Sequence, residues 1–456
     1  MTVDDAQQES GSATPLTSPT PAGGRSGRRA GPARQGTLRE HNLRLVLGHV
    51  LDAIEPPSRA DIAASTHLTR GTVSALVDQL VQSGLVEELA PVAARRAGRP
   101  AVPLAPARRT LAAIGAEVNL DYMGYRVLDL AGDVLAERIE RGDFRGSDPE
   151  QALRRLGDML AEVTLRLGRE RVPIVGCCLA LPGLVDRVTG PLRVAPNLGW
   201  RDVDVLGLLA DHPALTGASL LLGNDANLAA RAESRAQGVA GNFLLIVGEV
   251  GIGGAIVLDG EVFAGRHGWS GEIGHTTVDM SGPPCSCGAS GCLEQYAGKD
   301  SLMRAAGLDL DLPIEALRDA ADAGDPAALA SLDRGGAALG VAIASFVNLI
   351  DVEQVVLGGT YALLGDHLLS RVREKVRARV ISAPWGHVDV RLTASDEHAT
   401  LTGAALAVLH RLTSDPSAWV SAELELGEVA DAASPRTRGH AVGAPVAATG
   451  VVTVTA

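Results

Sequence analysis

Apolar positions recur with a helical period from the first non-repetitive stretch of the chain. Over residues 41–54, Leu43, Val46, Leu47, Val50 and Ile54 fall on one face, which predicts a helix ended by Pro56-Pro57. Ser58 then opens Ser-Arg-Ala-Asp, a capping-box start for a short second helix over 59–65. Thr66-His67-Leu68 forms a turn, and Thr69 is a good N-cap for a third helix over 70–83. That helix carries Val73, Leu76, Val77, Leu80 and Val81 as one apolar stripe, and Gly84 stops it. Two antiparallel strands follow, 85–89 and about 102–104, joined by a basic loop. Beyond residue 110 the pattern is α/β. Strands are expected at 114–118, 125–128, 134–139, 174–180, 220–222, 244–250 and 255–258, with helices at 149–167, 225–237, 333–350 and 400–412. The predicted division is a disordered segment over 1–38, a winged helix-turn-helix over 39–109, an α/β domain over 110–412 and a low-complexity tail over 413–456.

A short helix, a tight turn and a second amphipathic helix make a helix-turn-helix. Burying the apolar stripe of the third helix leaves Arg70, Thr72, Ser74, Ala75 and Asp78 on the opposite face. An arginine near the start of a recognition helix can pair with guanine in the major groove, and small hydroxyl residues let the helix approach the bases. The loop Arg95-Arg96-Ala97-Gly98-Arg99-Pro100 supplies a wing whose arginines can grip phosphate or enter a minor groove. DNA-binding residues are therefore expected at Arg70, Thr72, Ser74, Arg95, Arg96 and Arg99. The competing reading of this three-helix segment is a module that binds protein.

Net charge of −13 looks wrong for a DNA binder until it is divided along the chain. Residues 1–109 hold 13 Arg against 10 acidic residues, a balance of +3 that leaves −16 on the rest. Residues 22–39 and 91–109 each contain five Arg and no acid, so the basic character is local. Among the five cysteines, Cys177 and Cys178 sit in an expected strand and read as inert core thiols. His275, Cys285, Cys287 and Cys292 give the spacing H-x9-C-x-C-x4-C, which fits a closed tetrahedral structural zinc, one per chain; a redox pair or free thiols is the alternative. Thiols in that pattern suit a reducing cytoplasm. No signal peptide and no uninterrupted membrane-length apolar run is evident.

Six further motifs occur in one order: Leu181-Pro182-Gly183-Leu184-Val185-Asp186, Ala195-Pro196-Asn197-Leu198-Gly199-Trp200, Gly223-Asn224-Asp225-Ala226-Asn227, Gly251-Ile252-Gly253-Gly254, Gly271-Glu272-Ile273-Gly274-His275, and Cys285 through Glu294. With them, residues 40–410 resemble a repressor-type member of the ROK family of repressors, open reading frames and sugar kinases. The resemblance implies an actin-like, hexokinase-type fold of two α/β lobes with a sugar cleft between them. It further implies that Asn197, Asn224, Asp225, Glu272, His275 and Glu294 contact the sugar, and that the zinc loop shapes its floor. In the kinases of the family, Asp225 would be the general base. Where those kinases carry Asp-x-Gly-Gly-Thr, however, this chain has Glu117-Val118-Asn119-Leu120-Asp121, and Glu249-Val250 stands in place of Gly-Thr. Lost glycines and added carboxylates argue against a cradled ATP phosphate, so no catalytic residue is assigned.

The expected function is a sugar-responsive DNA-binding transcriptional regulator, a repressor of carbohydrate genes. It would act as a homodimer or a dimer of dimers on an operator and take a sugar or sugar phosphate as effector. An active ATP-dependent sugar kinase with a DNA-binding head is the alternative, and a regulator answering to a protein partner is a third reading.

Overall fold

The computed structural model describes residues 35–91, 101–186, 190, 192–215, 218–237 and 241–421. The head begins with helices α1 (Gln35–Leu51), α2 (Arg59–Thr66) and α3 (Arg70–Gln82), followed by the antiparallel pair β1 (Val86–Glu88) and β2 (Leu104–Pro106). Local chemistry sets these boundaries. Ser58 and Asp61 form a reciprocal capping box at α2, and Thr69 accepts from the amide of Thr72 at the start of α3. His67 in the turn and Gly84 after α3 both take positive φ, which only Gly adopts without strain. The apolar stripes pack as expected, with Leu43, Val46, Leu47 and Val50 against Val73, Leu76, Val77 and Leu80. Ile54 is a correction. α1 ends at Leu51, so Ile54 leaves the stripe and is almost fully exposed. The loop carrying Arg95, Arg96 and Arg99 lies outside the described residues, as does most of the 1–38 segment.

Lobe one contains β3 (Ala112–Val118), β4 (Tyr122–Asp129), β5 (Val134–Arg141), α4 (Pro149–Arg169), β6 (Ile174–Leu181), the small sheet β7 (Leu184–Val185), β8 (Leu192–Ala195), β9 (Trp200–Val203), then α5 (Val205–Ala210), β10 (Leu220–Asn224) and α6 (Asp225–Gln237). Lobe two contains β11 (Phe243–Gly248), β12 (Ile252–Leu258), β13 (Glu261–Val262), α7 (Glu294–Ala297), α8 (Lys299–Ala305), α9 (Glu315–Asp322), α10 (Pro326–Ile350), β14 (Gln354–Gly359), α11 (Thr360–Leu364), α12 (Asp366–Arg379) and β15 (Asp389–Leu392). The chain then returns to lobe one as α13 (Ala399–Ser414).

The two central sheets share one topology. Each has an antiparallel run of three strands, β3-β4-β5 and β11-β12-β13, and each adds two parallel strands beside the first, β6-β10 and β14-β15. This repeat places two sets of strand C-terminal ends facing each other, where ligands of open α/β sheets bind. The core of lobe two is built around α10, which is long and apolar enough by length and composition to cross a membrane. It instead carries Asp333 and Arg334, buries Leu332, Leu339, Ile343 and Val347, and packs against α12.

The head shares its core with lobe one. Leu47, Val77 and Leu104 of the head belong to the same buried cluster as Ala113 and Leu128 of the sheet, Ala404 and Val408 of α13, and Val420 beyond it. The low-complexity tail expected from residue 413 therefore starts too early. α13 runs to Ser414, and residues 417–421 are helical and packed.

Candidate functional site

The site is a cavity of about 630 Å³ between the lobes, and Asn197, Asn224, Asp225, Glu272, His275 and Glu294 all line it. Asn224 and Asp225 divide the work at the junction of β10 and α6. Asn224 accepts from the amide of Asn227 and so caps α6, while its own amide donates to the carbonyl of Gly183. The capping role falls to Asn224, and Asp225 is left facing the cavity, with one oxygen accepting from the amide of Ala226 at 2.7 Å. Burial, with Glu272 adding to it, lifts the Asp225 carboxyl to about 7. Burial likewise raises Glu294, against the pull of the His275 ring.

Sequence reasoning found the opposite end of the cavity as lost glycines and added carboxylates, without the contacts that join them. There, Asn119 is buried and its amide donates both to Glu117 at 3.0 Å and to Glu249 at 2.6 Å. Glu117 and Asn119 come from the end of β3 and Glu249 from the end of β11, so this is a hydrogen-bonded bridge between the lobes. Tyr122 donates to the second oxygen of Glu117 at 2.6 Å. The carbonyl oxygen of the Asn119 side chain accepts from the amide of Leu120, the residue that replaces a phosphate-loop glycine. Burial and the neighbouring Glu249 hold Glu117 well above the usual carboxylate range, and burial with Asp225 lifts Glu249 to about 8.

The floor of the cavity is the thiol loop. Candidate ligand atoms of His275, Cys285, Cys287 and Cys292 all lie within 4.8 Å of one another. Cys285 Sγ is 3.7 Å from His275 Nδ1, Cys287 Sγ is 3.7 Å from Cys292 Sγ, and all three thiols are free. A tetrahedral ion with Zn–S bonds of about 2.3 Å needs ligand separations of about 3.8 Å, so the residues fit the metal. The set could hold a metal ion, and its ligand His275 also faces the cavity. Cys177 and Cys178, in contrast, are buried in β6, and burial pushes the Cys177 thiol up to about 12 and Cys178 higher still.

In the head, Arg70 is exposed at the first position of α3, with Thr72 and Ser74 half-buried behind it. The Thr72 and Thr69 hydroxyls lie 2.9 Å apart. Arg59 of α2 pairs with Asp78 at 2.6 Å and also with Glu88 of β1. This contact was not anticipated from sequence. It fixes α2 to α3 and offsets the one acid on the exposed face of α3.

Fold and site together define a winged-helix head on a two-lobed α/β body of the sugar-kinase type. The ROK family model matches residues 114–411, more than half of the chain, and the chain belongs to the ROK family. A MarR family model matches residues 45–97. The chain is 26% identical over 397 residues to the xylose repressor of Caldicellulosiruptor bescii, covering 83% of this chain and 98% of that one. A solved ROK family transcriptional regulator, a homologue of the E. coli MLC protein, aligns over 85% of this chain and 99% of that one with a TM-score of 0.71 and 25% identity. A ROK family glucokinase from Streptomyces griseus, solved with glucose and AMPPNP, aligns over 65% of this chain and 98% of that one, with a TM-score of 0.57 and 25% identity. The family thus includes both regulators and kinases.

Proposed function

We propose that this protein is a sugar-responsive transcriptional repressor acting in the cytoplasm, whose body keeps the sugar half of a kinase site and has lost the nucleotide half. The observation that carries this reading is a contrast within one cavity. Six polar residues suited to sugar hydroxyls gather at one end, while at the other the Leu120 amide is occupied by Asn119 and the Glu249 carboxyl stands in place of a phosphate-loop glycine. Asn197, Asn224, Asp225, Glu272, His275 and Glu294 are assigned to the sugar. Arg70, Thr72 and Ser74 are assigned to base edges, and Arg95, Arg96 and Arg99 to phosphate or the minor groove. A structural zinc on His275, Cys285, Cys287 and Cys292 would fix the cavity floor. The active form is a homodimer, because paired heads match a palindromic operator.

Operator binding measured with and without each member of a sugar panel tests the regulator. An ATP-dependent phosphorylation assay on the same sugars tests the kinase alternative, and turnover above background would overturn the assignment.

A further inference from the structure

The sugar cleft also carries information on the charge of its ligand. A hydroxyl placed at Asp225 is a donor to that carboxylate. Its phosphate ester has no hydrogen to donate and brings anionic oxygens in its place. Those oxygens would need amide donors or cations close by. On the side of the cavity where they would extend, Glu249 stands instead, held by the Asn119 amide, which also binds the fully buried Glu117 behind the wall. Two backbone donors there are already used: the amide of Leu120 is bound to the Asn119 side chain at 2.7 Å, and the amide of Glu249 to the carbonyl of Gly251 at 2.8 Å. The basic side chains lining the cavity among the described residues are Arg201, exposed on β9, and His275, which belongs to the thiol cluster.

We infer that the cleft takes a free, unphosphorylated sugar and that Glu249 is the residue that rejects its phosphate ester. This rests on the sugar-cleft reading above and decides between the two effector classes that the sequence leaves open. Glu249 acts by placing a carboxyl where a phosphoryl group would need a donor, and the buried Glu117 shares the Asn119 amide that holds it there. Asn119 holds both carboxyl groups in place, so the rejecting surface exists before any ligand arrives.

The test is titration calorimetry on the full chain at about pH 9, above the value of about 8 to which burial lifts Glu249, so that its carboxyl is ionised. D-glucose, D-mannose and N-acetyl-D-glucosamine are each compared with the ester phosphorylated on the terminal hydroxyl. The sugar that binds is expected to do so at least about tenfold more tightly than its ester. Glu249→Gln preserves size and an acceptor for Asn119, so it should narrow that ratio severalfold while leaving free-sugar affinity close to that of the parent. An ester that binds as tightly as its free sugar overturns the inference on the parent protein alone. An unchanged ratio in Glu249→Gln overturns the role of Glu249. If neither series binds, the sugar-cleft reading itself fails and takes this inference with it.

Discussion

The indole nitrogen of Trp419 donates a 3.0 Å hydrogen bond to the carbonyl of Ser83, the residue that caps the C-terminal end of α3. Val420 lies beside it, buried in the core shared by the head and lobe one. The segment after α13 therefore holds the recognition helix against the sensor body. Trp419→Ala should cost on the order of 2 kcal/mol, the loss of one hydrogen bond plus part of a large apolar side chain. Urea melts would measure that loss. Operator affinity should fall while sugar affinity in the cleft stays unchanged, since Trp419 is not among the residues lining that cavity.

Cys287→Ser should lower bound zinc from one ion per chain and destabilise the 275–294 loop, because ligands brought together by folding make metal binding part of the folding free energy. Elemental analysis and a thermal melt check this together. Zinc-free protein that is fully folded and binds sugar normally would remove the metal from the account.

Local capping and periodicity made the head legible from sequence. Ser58, Thr69 and Gly84 each govern their own neighbourhood, and the structure places α2 and α3 within a residue of expectation. Ile54 misled because periodicity alone carried the first helix past its true end at Leu51. Several elements of lobe two were missed. β14 reads Gln-Val-Val-Leu-Gly-Gly, too continuous for a period to register, and α12 is rich in arginine and was passed over. The cleft motifs were visible because they are local strings. The Asn119–Glu249 bridge was not, because its partners are 130 residues apart and meet only when the two lobes fold. Residues 413–421 failed for the same reason. Their composition is unremarkable, and only the surface they cover gives Trp419 and Val420 a purpose.

Stability should fall as pH rises from about 5 to 8. Asp225 moves from an ordinary 3.8 to about 7 in the folded chain and Glu249 from 4.5 to about 8. Both pKa values are raised, so the native state holds more protons than the unfolded state across this interval. The stabilising contribution is fully present below the unfolded values and is lost as pH climbs through the folded ones. Each group contributes a slope of at most about 1.4 kcal/mol per pH unit. Glu249→Gln should flatten the profile of unfolding free energy against pH. A profile that rises from pH 5 to 8 would contradict the buried acids of the cleft.

Arg70→Ala and Arg99→Ala should act differently. Arg70 is exposed at the start of α3, where a bidentate contact to guanine would contribute roughly 1–3 kcal/mol of sequence preference. Arg99 belongs to the basic loop assigned to phosphate or the minor groove; a phosphate contact means its loss weakens operator and scrambled DNA alike and reduces the salt slope by about one. Isotherms on both DNAs at several salt concentrations separate the two. Equal losses on both sequences for Arg70→Ala would move it from base reading to phosphate contact.

Asp225→Asn should weaken the sugar response and spare operator affinity, and the structure offers a route between the two sites. Asp225 is the first residue of α6, so a sugar bound there bears on that helix directly. α6 touches α13 backbone to backbone: a Cβ on Gly403 would stand 1.7 Å from the carbonyl of Leu228. Two turns along α6, buried Glu233 accepts hydrogen bonds from Thr393, from both the hydroxyl and the amide of Ser395, and from the amide of Ala394, in the loop that leads into α13. A shift of α6 is therefore passed to α13 at two points, and α13 leads into the segment that grips Ser83. For sugar to release DNA it must favour the released geometry, and coupling of this kind is typically about 1–3 kcal/mol. Asp225→Asn and Glu272→Ala both weaken the grip on sugar without touching α3. Operator affinity with and without the inducing sugar, measured for each variant, reads the coupling directly. A well-folded Asp225→Asn protein that no longer bound DNA, or that kept the full sugar response, would show that cleft and head do not divide the work in this way.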